Sequence, residues 1–140
     1  MLKGKKILLG VTGSIAAYKA AEIVSLLKKE GADVFVIMTE SATKFIQPLT
    51  FSTLSGNPTI DNLFSNNDKI VIKHISLAQW ANLILIAPAM NNNMISNPLY
   101  QQNVEKLTAL GYEFIDSEYG RLACGETGEG RLVNIEDIVD

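Results

Sequence analysis

Cysteine, histidine and tryptophan each occur once in these 140 residues. A lone cysteine cannot close an internal disulfide. No apolar run approaches the ~20 residues that a membrane-spanning helix needs, and no membrane partner is expected. The net charge is −3 and the basic residues form no stripe, which argues against nucleic acid as the main partner. No partner His, Cys or carboxylate stands at metal-ligand spacing from the single histidine, His74, so no metal is expected. The opening MLKGKKILLGVTGS has a basic start and an apolar stretch in the manner of an export signal. That stretch is short and lacks a small-residue cleavage pattern, so it reads as a first strand, and the cytoplasm is the expected location. Internal repeats, low-complexity segments and domain linkers are absent too.

What is present is an alternation of strand and helix patterns in a chain of 47% hydrophobic and 19% charged residues, long enough for one domain, 1–140. KKILLGV, residues 5–11, is an apolar run bounded by Gly10 and Gly13. In SIAAYKAAEIVSLLKKEG the apolar residues Ile15, Ala16, Ala20, Ile23, Val24 and Leu27 recur at helical spacing, and Gly31 supplies the stop. DVFVIM, 33–38, is a second strand, and the crossover between the two should be right-handed and leave them parallel. Residues 41–54 look helical but are interrupted at Pro48, and 56–68 is polar and loop-like. Residues 76–80 read as one or two helical turns and 83–87 as a third buried strand. Residues 98–110 form a helix opened by Pro98 and closed by Gly111. YEFID, 112–116, reads as a short final strand, followed by a glycine loop and a small helix capped by Asn134. The fold class is α/β, a doubly wound and mostly parallel sheet of the Rossmann-like kind.

In such folds ligands sit beyond the carboxyl ends of the strands. After the first strand comes Thr12-Gly13-Ser14-Ile15, opening a helix whose free N–H groups and dipole form a seat for a phosphate, with the Ser14 hydroxyl as an added donor. A plain turn with Ser14 as helix cap fits the same residues. This is neither a three-glycine dinucleotide fingerprint nor a Walker loop, which disfavours NAD and ATP. After the second strand, Thr39 and Ser41 offer hydroxyls, or a simple cap. After the third comes PAMNNNM, 88–94, whose asparagine amides combine donors and acceptors without charge, as holding a carboxylate requires; turns favour Asn as well.

His74 precedes the short helix of HISLAQW and is a candidate general base, or a solvated loop side chain. RLACGETGEGRL, 121–132, sets Cys124 among glycines and charges, an unusual place for a thiol that merely packs in a core.

VTGSIAAYKA, MTESATKFI, KHISLAQWANLILIAPA, PAMNNNM and GRLACGETGEGRL, in this order, closely resemble the flavin-dependent cysteine decarboxylases, over about residues 5–140. The nearest branch is the one acting on 4′-phosphopantothenoylcysteine in coenzyme A biosynthesis. PxMNxxM followed by a glycine-bracketed ACG is the specific part, since GSIAAYK alone is shared with other FMN enzymes. The resemblance implies FMN as cofactor, held at its phosphate region by Gly13, Ser14 and Ile15 with help from Thr39 and Ser41. It implies His74 as the base, Asn91 on the substrate carboxylate with Met94 nearby, and Cys124 as proton donor on a glycine-hinged flap. An ordinary thiol is protonated at neutral pH and can serve as an acid. The implied reaction oxidises the carbon bearing sulfur, loses carbon dioxide from the thioaldehyde-like species so formed, and returns the hydride, with no net redox change and 4′-phosphopantetheine as product. Homotrimers, or assemblies of trimers, are implied. So is fusion, in many bacteria, to a phosphopantothenate-cysteine ligase domain.

One departure from the family stands out. Its members have a strand ending in a Pro-Ala-Ser-Ala-Asn-Thr type of motif, a helix, and a further strand ending in PAMN. Here a single LILIAPAMNNNM joins the two ends somewhere between Leu85 and Met90. One strand-helix-strand crossover, on the order of 30 residues, is absent. The expectation is that the natural chain carries a segment there that this sequence skips. Three other activities share parts of the pattern. A flavin prenyltransferase would need neither Cys124 nor PAMN, a peptidyl-cysteine decarboxylase would differ mainly in its substrate clamp, and a non-catalytic regulatory subunit would not need both His74 and Cys124.

Overall fold

A computed structural model describes residues 2–62, 77, 79–82 and 85–139. They fall into two compact units, Met1–Ile84 with Val139 and Leu85–Ile138 with Asp140.

In the first unit the opening apolar run is strand β1 (Lys6–Val11), paired in parallel with β2 (Asp33–Met38) from Lys6 opposite Asp33 to Val11 opposite Met38. Between them runs a single 3₁₀ turn (Ile15–Tyr18) and helix α1 (Lys19–Lys29), so the helix expected from Ile15 tightens in its first turn. Side chains alternate along β2: Val34, Val36 and Met38 are buried, whereas Asp33, Phe35 and Ile37 are half-buried on the other face. The buried face meets Ile23, Val24 and Leu27 of α1 and the fully buried Phe51 of α3 (Pro48–Ser55), after the short α2 (Glu40–Thr43). Burying one such side chain stabilises the fold by about 1.5–3 kcal/mol. On the opposite face Trp80 stands edge-on to Phe35, ring centroids 5.0 Å apart, with the Lys6 ammonium 5.7 Å from the Trp80 ring. The second strand therefore has chain on both faces, as a doubly wound fold requires.

Polar groups close the edges of this pair. The Lys6 N–H donates to Asn82 Oδ1 at 3.1 Å, while the Asn82 N–H donates to the Lys6 carbonyl at 2.9 Å. Residues 56–62, expected as loop, place Ile60 against β2, its N–H donating to Val36 O and its carbonyl accepting from Met38 N–H. Asn57 holds the start of β2, donating through Nδ2 to Asp33 Oδ1 and to Val34 O, both at 2.8 Å. Leu77, Gln79 and Trp80 are helical within the 76–80 turn; the rest of it, residues 63–68 of the polar stretch, and residues 83 and 84 lie outside the described residues.

In the second unit β3 (Leu85–Ile86) pairs in parallel with β4 (Glu113–Phe114). Between them lie α4 (Asn92–Ile95) and α5 (Pro98–Ala109), the latter opened by Pro98 and capped by Asn97 Oδ1 accepting from Leu99 N–H. Gly111, at φ 89°, follows the C-cap of α5 in the left-handed region, where glycine carries no Cβ penalty.

Residues 112–116 are not the final strand. The stretch read as a glycine loop is an antiparallel hairpin, β5 (Glu118–Arg121) with β6 (Thr127–Arg131), with a register shift between Glu118 and Tyr119. Glycine's poor strand propensity pointed to a loop; the cross-strand ladder and the backbone packing described below override it. Helix α6 (Ile135–Val139) follows. Among the described residues the strands thus form two parallel pairs and one antiparallel pair.

Candidate functional site

In the first unit, the ends of β1 and β2 are tied together by the Thr39 N–H donating to the Val11 carbonyl at 3.0 Å. The two turns that follow are in contact: a Cβ built on Gly13 would lie 2.6 Å from the Cβ of Ser41. Only a residue without a side chain fits there. Ser14 is the N-cap of the first turn, its Oγ accepting from Ala16 N–H at 3.2 Å, and Thr39 caps α2 in the same way, accepting from Ala42 N–H at 3.2 Å. Both cap readings hold, and they leave the donor side open. The two hydroxyl protons, and the backbone N–H groups of Gly13, Ser14 and Ile15, have no partner among the described residues. Five expected residues, Gly13, Ser14, Ile15, Thr39 and Ser41, therefore lie on the two adjoining turns at these strand ends, with unsatisfied donors of the kind that a phosphate requires. Ile15 and Tyr18 are each 60% exposed, and Phe45, four residues after Ser41, is 52% exposed.

In the second unit, Asn91 is the N-cap of α4, its Oδ1 accepting from Met94 N–H at 2.9 Å. With the carbonyl oxygen engaged, the amide NH₂ of this exposed side chain faces outward as a pure donor, suited to a carboxylate. Met94, 57% exposed, sits on the same turn. Cys124 is exposed at the tip of the hairpin, in a turn closed by Leu122 N–H to Glu126 O at 2.8 Å and Gly125 N–H to Leu122 O at 3.0 Å. The buried Leu122 anchors that turn, and the thiol lies 4.0 Å from Glu126 Oε2.

The Asn91 turn and the hairpin touch. Met90 N–H donates to the Gly130 carbonyl at 2.8 Å, and Asn92 lies against Gly128. Asn92, Gly128 and Gly130 were not among the expected site residues, although glycines two apart share one face of a strand and mark close backbone approach. His74 lies outside the described residues. No group of three or more His, Cys, Asp or Glu able to hold a metal occurs among the described residues. No described helix is long and apolar enough to cross a membrane.

Comparison with known proteins bears on both units. The family model described as Flavoprotein matches in two pieces, residues 1–89 and 84–140. A probable phosphopantothenoylcysteine decarboxylase of Streptococcus mutans is 38% identical over 96% of this chain and 95% of its own length. The coenzyme A biosynthesis bifunctional protein of Borreliella burgdorferi is 40% identical over 99% of this chain, which spans 44% of that relative. That alignment runs over 172 positions against the 140 residues present here, leaving at least 32 without a counterpart in this chain. Among solved structures, a Cys-to-Ser mutant of a PPC decarboxylase complexed with pantothenoylaminoethenethiol superposes with a TM-score of 0.80 at 24% identity, covering 98% of this chain and 95% of that one. The FMN-binding protein AtHal3 gives 0.77 at 24% identity, over 98% and 94%. These likenesses establish the Rossmann-like flavoprotein fold.

Proposed function

Because this chain belongs to the flavoprotein family, we propose that it is an FMN-dependent carboxy-lyase that converts 4′-phosphopantothenoylcysteine to 4′-phosphopantetheine in coenzyme A biosynthesis. The observation that carries the reading is the near end-to-end match, at 38% identity, to a relative named for that reaction.

The residues of the first unit fit the cofactor. Gly13, Ser14 and Ile15 would meet its phosphate region with backbone N–H groups, and Thr39 and Ser41 would add hydroxyls. Bound there, FMN supplies reversible two-electron chemistry, the electron sink that a carboxylate beside a saturated thiol-bearing carbon lacks. The protein's own part is placement and proton transfer. The Asn91 amide donates to the substrate carboxylate, Met94 borders it, and Cys124 delivers a proton to carbon once carbon dioxide has left. His74 is the base.

The remaining features are part of the same proposal. The decarboxylase unit is 1–140, and relative to its relatives this sequence skips a segment near 85–91, where the two family matches meet. The enzyme works in the cytoplasm as a trimer or an assembly of trimers, and in any longer form of this chain the second half of such a bifunctional protein would be the phosphopantothenate-cysteine ligase domain.

The test is the visible spectrum of the purified protein, the flavin released per chain, and the product formed from 4′-phosphopantothenoylcysteine. Near-stoichiometric FMN and 4′-phosphopantetheine are expected. A colourless protein that neither rebinds FMN nor releases carbon dioxide would overturn the reading, and full turnover by His74→Asn would remove the base assignment.

A further inference from the structure

Gly128 and Gly130 are both buried, and standing two apart on β6 they open on one face of the hairpin. That face is filled by the turn carrying Asn91. A Cβ on Gly130 would collide with the carbonyl oxygen of Met90, and a Cβ on Gly128 would collide with the side-chain amide of Asn92. The Gly130 carbonyl also takes the Met90 N–H at 2.8 Å. Gly130 has φ 111°, a conformation other residues rarely adopt, so its identity is fixed twice over. Gly128 has no such backbone constraint, and the atoms nearest to a Cβ there all belong to the Asn92 side chain.

These contacts change what the glycines are for. Glycines that hinge a flap lie at its base and leave it free to swing. Here they are notches in a paired strand that let two backbones come together, with the Asn91 turn on one side and the strand leading from Cys124 on the other. We infer that β6 is a positioning element: Gly128 and Gly130 lock the Asn91 turn to the Cys124 hairpin, so that the carboxylate-binding amide and the proton-donating thiol move as one body. The roles of Asn91 and Cys124 rest on the decarboxylase reading, whereas the mechanical coupling rests on the contacts alone. Its chemical consequence is register. The carboxylate sets where the reacting carbons lie, and a thiol fixed to the same body meets them at a constant offset, which is the condition for efficient proton transfer.

The full-length protein, loaded with FMN, allows a test in which coupling and activity are read separately. In the unmodified protein, hydrogen exchange at the Met90 amide, across the contact, and at the Leu122 amide, inside the hairpin turn, should respond together to added denaturant, as amides of one cooperative unit do. Independent opening of Met90 would overturn the inference and needs no variant. Gly128→Ala should speed exchange at Met90 by roughly tenfold or more. It should also cut kcat on the order of a hundredfold, as misplacement by about an ångström can. Gly128→Ala combined with Asn92→Ala, which clears the space for the new methyl group, should bring both quantities back to within about threefold of the unmodified protein. Unchanged exchange in Gly128→Ala, or a loss that the second substitution does not rescue, would sink the proposal. Coupled exchange in a protein with no decarboxylase activity would leave the coupling standing and remove the decarboxylase reading instead.

Discussion

Gly13 and Ser41 touch across the two strand ends of the first unit, closer than any side chain at residue 13 allows. The proposed phosphate seat is therefore shaped by a missing Cβ as much as by the hydroxyls around it. Gly13→Ala should push the Ser41 turn away and weaken FMN binding by roughly tenfold or more, the scale on which one to a few kcal/mol of lost contacts reads out. Gly13→Ala with Ser41→Gly should recover part of that loss. Titration of the apoprotein with FMN, followed by quenching of flavin fluorescence, measures both.

On the proposed reading Asn91 does two jobs with one amide, capping α4 and holding the substrate carboxylate, and they can be separated. Asn91→Asp keeps an oxygen to accept from Met94 N–H, so the cap on α4 is retained and the unfolding temperature should be unchanged within error. It replaces the outward NH₂ donor with a negative charge facing the substrate carboxylate, and kcat/KM should fall on the order of a hundredfold or more. Asn91→Ala, which loses cap and donor together, should cost about 0.5–2 kcal/mol of stability as well. Denaturant melts and steady-state kinetics on the three proteins make the comparison.

For Cys124→Ser the expected outcome is loss of carbon dioxide without completion of the product. The thiol is exposed and the backbone of its turn is closed by hydrogen bonds from Leu122 and Gly125, so the substitution should leave the hairpin intact. Mass spectrometry should find the unreduced enethiol, two hydrogens short of 4′-phosphopantetheine, accumulating in place of the normal product. Normal product at the normal rate would remove Cys124 from the mechanism.

Tyr100 supplies a pH dependence unrelated to catalysis. Its pKa is raised from 10.0, first by burial of the phenol and second by the nearby negative charge of Asp116. A raised value means that the fold favours the neutral phenol. Its contribution is complete below the unfolded value of about 10 and is lost as pH climbs through the higher folded value. Tyr100→Phe should therefore flatten the fall in stability above about pH 10, and Asp116→Asn should shrink it. Urea melts across that range test the sign.

Much of the first unit was legible in the sequence because its signals are local. The apolar run at 6–11, the helical spacing of Ile23, Val24 and Leu27, and the break at Pro48 each act within a few residues, and each sits where it was expected. The crevice residues followed from a rule about strand ends, so Gly13, Ser14, Ile15, Thr39 and Ser41 fell together once the two strands paired. What was illegible depends on partners distant in sequence. Nothing in GETGEGR says strand until Arg121 is set opposite Thr127 and Gly120 opposite Gly128. The glycines then change meaning from freedom to closeness, because Met90 and Asn92, far back along the chain, occupy the space that their side chains would fill. Ile60 was lost in a polar stretch for a related reason: a bridge of one residue to Ile37 leaves no periodic trace.

Asn82 bears on how this protein behaves in a crowded cell. A strand rich in isoleucine, leucine and valine that leaves its edge open is a template on which another molecule's strand can grow. On β1 the entry point is already taken, because the Asn82 side chain receives the Lys6 N–H while the Asn82 backbone feeds the Lys6 carbonyl. One residue supplies both hydrogen bonds at the start of that edge, as the first rung of a neighbouring strand would. Replacing it with alanine would free the Lys6 N–H and open the position where stacking of chains begins, so self-association would rise before catalysis changed.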